Sequence, residues 1–413
     1  MRVLLSTIGS RGDVQPLVAL ASALKMLGQE VRLCVPPDFQ DWIEGLGFPV
    51  TPIGPALRQP AAPGPRATLA SLSPERRRQL AEATVATQFE TVAAAAKDCD
   101  IIVAATALQI AARSVAENMN IPYVFVAYSP NVLPSPHHAP PPLPAMPGQP
   151  APAPADNTEL WARDAVRFNN LFGPALNAHR AAMGMEPIGD VRSHEFTYRP
   201  WLAADLTLAP WPDAADPEVF QSSAWILPDD RPLSRELETF LDAGEPPLYF
   251  GFGSMRAAHG LSEAMVRAAR ALGRRAIVSR GWADLELADN EPDCLAIGEV
   301  NQQALFPRVA VVVHHGGAGT TTAAAMAGTP QVVVPQIYDQ HYWAQRVHDL
   351  GIGTAHTPGA PTTESLTAAL QHALRSDVAA RAKSVAADVR RDGAQVGARA
   401  VIRAADSTQS EMS

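Results

Sequence analysis

Cysteine is scarce in this chain: 413 residues hold three, Cys34, Cys99 and Cys294, far apart and odd in number. That pattern gives neither a disulfide framework nor a paired-thiolate metal knuckle, and it suits a reducing cytoplasm. Long apolar runs are missing too. The longest are strand-sized, well short of the ~20 residues that cross a bilayer. The opening Val3-Leu4-Leu5 is broken within a few residues by Gly9, Arg11 and Asp13, so no secretory signal is expected. An excess of positive charge is also absent: 33 Lys and Arg against 42 Asp and Glu leave −9. This argues against a surface that tracks nucleic-acid phosphates, while leaving room for a local basic pocket. No P-loop and no short tandem repeat occurs. The expectation is a soluble cytoplasmic protein, a monomer or weak dimer, with no nucleic-acid partner and no stable membrane insertion.

What is present is an α/β pattern repeated in two halves. Met1 to Thr7, Val31 to Val35, Ile101 to Ala104 and Tyr123 to Val126 read as buried strands, with helical spacing of apolar residues over Leu17 to Leu27. Strand, loop, helix, strand opens a doubly wound domain. From Pro130 to Pro154 the composition turns to Pro and Ala, too rich in proline for a helix or central strand. A helical stretch from Glu159 to Met183 follows. A Pro- and Asp-rich stretch between Pro210 and Pro232 is read as the inter-domain linker. Strand-loop-helix units then restart at Pro247, Ala276 and Val309. The sequence therefore predicts two Rossmann-like domains facing each other across a cleft, residues 1–209 and 233–413, joined by 210–232.

The most informative segment is His314-His315-Gly316-Gly317-Ala318-Gly319-Thr320. It sits between the apolar run Val309 to Val313 and the helical Thr321 to Ala327. A small-residue turn at such a junction aims backbone N–H groups and the positive end of a helix dipole at one point, where a phosphate can sit. A second strand, Gln331 to Pro335, leads to Asp339-Gln340. In open α/β sheets ligands bind outside the carboxyl ends of strands, so both residues are expected beside the phosphate turn. A carboxylate beside an amide suits hydroxyl groups. Phosphate plus polyhydroxyl reads as a sugar nucleotide.

These residues resemble the donor motif of the inverting, GT-B fold glycosyltransferases that decorate small molecules. Gly9-Ser10-Arg11-Gly12-Asp13-Val14-Gln15-Pro16 resembles the acceptor-side loop of their bacterial branch. The segments 198–205, 224–229 and 279–285 are similar to those of the vancomycin-group glycopeptide glycosyltransferases. The resemblance implies sugar transfer from a UDP- or TDP-sugar co-substrate to a hydroxyl of a glycopeptide aglycone. Nearby alternatives are a polyketide, macrolide or sterol acceptor, or a sugar-nucleotide epimerase. It implies no further cofactor and no metal.

Asp13 is the candidate general base, since glycosyl transfer takes a proton from the attacking hydroxyl. As a residue type it is also a common helix cap. The leaving diphosphate is assigned to His315, the turn 317–320, Ser254 and a fixed charge from Arg11, all placed to stabilise growing negative charge. Asp339 and Gln340 hold the sugar. The plant relatives' donor-motif tryptophan is absent. Base recognition is therefore assigned to backbone groups around Val300, with Trp282 either close by or simply packing. Ser10, Tyr128, His137 and His138 are the acceptor-side candidates, the histidines read as an exposed loop pair. Asp98-Cys99-Asp100 has the form of a metal-binding DxD but sits at a strand's amino end, the wrong side for ligands. A nicotinamide or flavin enzyme is disfavoured because the glycine-rich loops lack a full dinucleotide fingerprint.

Overall fold

The computed structural model describes residues 1–58, 72–142, 154–213, 218–254, 260–283, 285–287, 289, 291–357 and 360–411. By internal contacts the chain divides into two compact units. The first comprises Met1–Ala204, Trp211–Leu227 and Arg391–Ser413; the second comprises Asp205–Pro210 and Pro228–Arg390.

The first unit is built on a parallel sheet of β1 (Arg2–Thr7), β2 (Glu30–Val35), β3 (Val50–Pro52), β4 (Ile101–Ala105), β5 (Tyr123–Ala127), β6 (Trp201–Leu202) and β7 (Phe220–Gln221). Their order is β3-β2-β1-β4-β5-β6-β7. Val3, Leu4 and Leu5 are all fully buried, as expected of a strand covered on both faces. One face packs Leu4, Ile102 and Ala104 against Val85 and Phe89 of the helix Pro74–Ala95 and Phe172 and Leu176 of the helix Asn157–Ala182.

The second unit has β8 (Leu248–Gly251), β9 (Ala276–Ser279), β10 (Cys294–Ile297), β11 (Val311–His314), β12 (Gln331–Val333) and β13 (Gly353–Ala355). Their order is β10-β9-β8-β11-β12-β13, all parallel. Successive strand residues point to opposite faces. Leu248 and Phe250 accordingly meet Met265 and Leu370 on one side, and Tyr249 meets Leu237, Leu241 and Phe306 on the other. Each unit is thus Rossmann-like. In each, the strand order reverses beside the first strand, between β1 and β4 and between β8 and β11, and the carboxyl ends at such a reversal are where ligands bind.

Three sequence readings change. The predicted linker 210–232 contains β7, which pairs with β6, and the buried Trp225, so 211–227 belongs to the first unit. A two-residue edge strand in a Pro- and Asp-rich stretch leaves no periodic signal. The final helix, Gly393–Glu411, was assigned to the second domain but packs on the first unit's helix Arg11–Met26. That helix itself begins five residues before Pro16, within the glycine-rich loop. At that depth the missing N–H of Pro16 leaves the Gly12 carbonyl without its regular helical partner, and the helix runs on with one bond fewer.

Candidate active site

Asp13 sits at the third position of the helix Arg11–Met26, directly after β1. Its carboxylate turns back to the helix start, where Oδ2 accepts from the Ser10 backbone N–H at 2.7 Å and from Ser10 Oγ at 3.3 Å. Asp13 is therefore a cap as well as a candidate base. Gly9 makes this possible: a Cβ there would stand 2.2 Å from Asp13 Oδ2. Burial pushes the Asp13 carboxyl up to about 6, against the lowering effect of the Ser10 hydrogen bonds. A carboxylate with that affinity for protons, only partly screened by neighbours, is suited to general base work near neutrality.

Tyr128, at the end of β5, donates its hydroxyl to the Asp13 backbone carbonyl at 3.1 Å. The sequence assigns it to the acceptor side, and here it holds the backbone of the candidate base. Ser10 likewise serves the cap. Arg11 lies 3.6 Å over the Trp42 ring and donates to Gln15 Oε1. The loop after β4 abuts the same region through Thr106, whose Oγ1 lies 3.4 Å from Thr7 Oγ1, and it carries the exposed Leu108. Thr106 adopts a left-handed φ of 74°, the kind of local strain that collects at functional loops.

His137 and His138 part company. His137 is exposed, but His138 is half-buried, with Nε2 on the Leu133 carbonyl at 2.9 Å and its ring edge-on to Trp161 and Trp211. This corrects the reading of an exposed pair, because His138 pins the start of the proline-rich segment. Residues 143–153 of that segment lie outside the described residues. In Asp98-Cys99-Asp100, Asp100 Oδ2 accepts from the Arg2 backbone N–H at 2.6 Å, at the amino end of β4.

In the second unit the glycine turn forms as the sequence predicts, with its helix starting earlier, at Ala318. Ala318, Gly319 and Thr320 make up the first turn, and Thr321 is the first residue whose N–H reaches a helix carbonyl, Gly317 O at 3.0 Å. Gly316 has φ +94°, and a Cβ there would meet Val333 Cγ1 at 2.7 Å and the Gln340 carbonyl at 2.9 Å. The phosphate turn and the Asp339-Gln340 segment are therefore in direct backbone contact.

The two adjacent histidines have separate tasks. His314 is fully buried; its Nδ1 accepts from the Gly316 N–H at 3.1 Å, so Nε2 carries the proton toward Gln331 Oε1 at 2.8 Å. It holds the turn in shape. His315 lies between Gly253 and Gly317, where any Cβ would come within 3.2 and 2.7 Å of its ring. Its buried Nδ1 has no hydrogen-bond partner among the described residues. Burial lowers its pKa to about 4, so the imidazole is neutral at neutral pH. Leaving such an atom unpaired costs about 1–3 kcal/mol, which a ligand oxygen would recover. Ser254 follows Gly253 in the same turn, and the Trp282 N–H donates to the Gly253 carbonyl at 2.9 Å. Ser254, Trp282, His315 and the 317–320 turn are thus neighbours.

Val300 packs on the apolar cluster around Leu305 and Phe306, next to Asn301, which caps the short helix Gln302–Leu305 and donates to the Asp229 and Arg231 carbonyls. Gln340 departs from its expected role. Its side chain is buried, and Oε1 accepts from the Gln336 and Ile337 N–H groups at 2.8 and 3.1 Å, closing the loop after β12. Asp339 is half-exposed and takes the Trp343 indole N–H on Oδ2 at 3.2 Å. Sequence reasoning quoted Gly9 and Trp225 only as parts of motifs, with no role of their own, and passed over Trp42. Their roles arise from close approach, for which a linear motif carries no mark.

Residues 3–135 match the glycosyltransferase family 28 N-terminal domain, and residues 268–396 match the erythromycin biosynthesis protein CIII-like C-terminal domain. The chain is 50% identical over 400 residues to glycosyltransferase GtfE of Amycolatopsis orientalis, covering 96% of each. It is 47% identical over 407 residues to that organism's vancomycin aglycone glucosyltransferase, covering 98% of each. Among solved structures, the glycotransferase of kitacinnamycin superposes with TM-score 0.72 at 20% identity over 98% of both chains. Glycosyltransferase VinC in complex with DTDP gives 0.67 at 21%, over 98% of this chain and all of that one. With these identities along nearly the whole chain and two Rossmann-like units, the chain belongs to the GT-B glycosyltransferases that include the vancomycin-group enzymes.

Proposed function

We propose that the protein transfers a sugar from a UDP- or TDP-sugar to a hydroxyl of a glycopeptide aglycone, with inversion and without a metal ion. Likeness along 98% of the chain to the relative named vancomycin aglycone glucosyltransferase supports the acceptor class. The donor half is carried by one observation, the buried Nδ1 of His315, which has no partner among the described residues, beside a helix N-terminus. In the reaction the acceptor oxygen attacks the anomeric carbon from the face opposite the diphosphate and its proton passes to Asp13. The bond from that carbon to the phosphate oxygen breaks, and its electron pair leaves on the diphosphate. A single displacement inverts the centre. His315, the 317–320 N–H groups, Ser254 and Arg11 stabilise the charge that develops there, usually the dominant contribution to catalysis. Asp339 receives sugar hydroxyls.

The test is a mass-spectrometric panel of UDP- and TDP-sugars against glycopeptide, macrolide, polyketide and sterol aglycones. The expected product is a glycopeptide aglycone carrying one added sugar. Conversion confined to the other acceptors would overturn the acceptor class, and interconversion of the donor with no acceptor present would make the protein an epimerase.

Two further outcomes are expected of the same assay. Exhaustive chelation leaves turnover essentially intact, because His315 and the helix dipole after Gly317 are enough to neutralise the leaving charge; a loss restored by Mg²⁺ or Mn²⁺ would overturn the metal-free reading. The profile of kcat/KM against pH falls below about pH 6, because the base must be ionised and burial raises Asp13 to about that value. Full activity at pH 4.5 would exclude Asp13 as the titrating base.

A further inference from the structure

Resting on the reading of Asp13 as the base, we propose that Tyr128 and Trp225 are positioning residues that orient Asp13, and that the C-terminal helix clamps them in place. The chain of contacts is continuous. The Tyr128 hydroxyl holds the Asp13 backbone carbonyl at 3.1 Å, and the Tyr128 ring stands edge-on to Trp225, centroids 6.4 Å apart at 71°. Trp225 is 3% exposed, and its indole N–H donates to Ser222 Oγ at 2.9 Å.

The far side of that indole is covered by the helix Gly393–Glu411. A Cβ at Gly397 would stand 2.7 Å from Trp225 Nε1, and one at Gly393 would stand 2.3 Å from the Ala224 carbonyl. Residues four apart share one helix face, so two glycines let this face lie directly on residues 223–225. The same helix packs along the helix that carries Asp13. The base is thereby held from the indole side and from the side of its own helix.

An outside brace is useful at this point. Pro16 has no N–H, so the Gly12 carbonyl lacks the partner a regular turn would give it. The first turn, which carries Asp13, is thus short of one internal bond, and Tyr128 supplies one from another element. Trp225 stands two residues before the first unit's segment ends at Leu227, and Gly393, two residues after the chain returns at Arg391, lies against the Ala224 carbonyl.

The experiment measures kcat, both KM values and the calorimetric Kd for TDP and UDP in full-length variants, with the best donor and acceptor of the panel. Tyr128→Phe keeps the ring and loses only the hydroxyl. It should lower kcat by roughly fivefold to tenfold, the range for one lost hydrogen bond, with Kd for both diphosphates unchanged. Gly397→Ala should lower kcat similarly, and adding Trp225→Phe, a smaller ring, should restore most of that loss. A wild-type kcat for Tyr128→Phe overturns the proposal. So does a Gly397→Ala defect that Trp225→Phe leaves unrelieved or that falls equally on diphosphate binding. Should Gly397→Ala not fold, Tyr128→Phe decides alone. Undiminished turnover in Asp13→Asn would instead remove the reading of the base itself, so the two failures are distinguishable.

Discussion

Asp13→Asn lowers turnover by roughly 10²-fold or more, the usual effect of removing a positioned base. The substitution is nearly isosteric. The amide oxygen can still accept from the Ser10 N–H, so the first turn keeps its cap, and what disappears is the capacity to take up a proton. Because the effect lies on a step after binding, calorimetric affinity for TDP or UDP should stay within a factor of two while kcat falls. The acid limb near pH 6 should vanish with it. A variant whose nucleotide affinity drops in step with kcat would show that Asp13 supports the fold of the loop and not the chemistry.

His315→Ala should act in the complementary way, with a tenfold to hundredfold weaker Kd for the nucleoside diphosphate and a parallel loss of kcat/KM. The magnitude follows from removing a hydrogen bond to a charged oxygen, about 1.5–3 kcal/mol. His315→Gln, which restores an N–H donor, is expected to recover part of the loss. Since burial holds the ring neutral, the free enzyme's diphosphate affinity should show no step near pH 6.5 attributable to His315. Unaltered TDP and UDP binding in His315→Ala would refute the donor site as drawn.

The fold was largely legible. Val3-Leu4-Leu5 and Val311-Val312-Val313 are strands buried on both faces, and such strands read as unbroken apolar runs. The glycine turn was legible for a local reason: Gly316 takes φ +94°, a conformation that glycine adopts without strain. Gln340 is tied locally, its Oε1 accepting from the N–H groups three and four residues back, a loop-closing contact that its place beside Asp339 did not suggest. Elsewhere non-local packing decided. The linker was misplaced because Trp225 looks like any aromatic in a proline-rich stretch until the residue opposite, Gly397, is known to lie 172 positions later. His138 looked solvated because its partners Trp161 and Trp211 lie 23 and 73 positions further along the chain.

That the last helix completes the first unit also sets an order of events during synthesis. Domains generally fold as they emerge, amino-terminal first, yet here the Ala224 and Trp225 surface stays bare until residues from Gly393 onward leave the ribosome, after the whole second sheet. The first unit therefore waits for the second. For anyone exchanging halves between relatives to mix acceptor and donor preferences, a single cut near residue 210 joins one enzyme's base to another's closing helix. Chimaeras that carry residues 391–411 along with residues 1–227 keep that pairing intact.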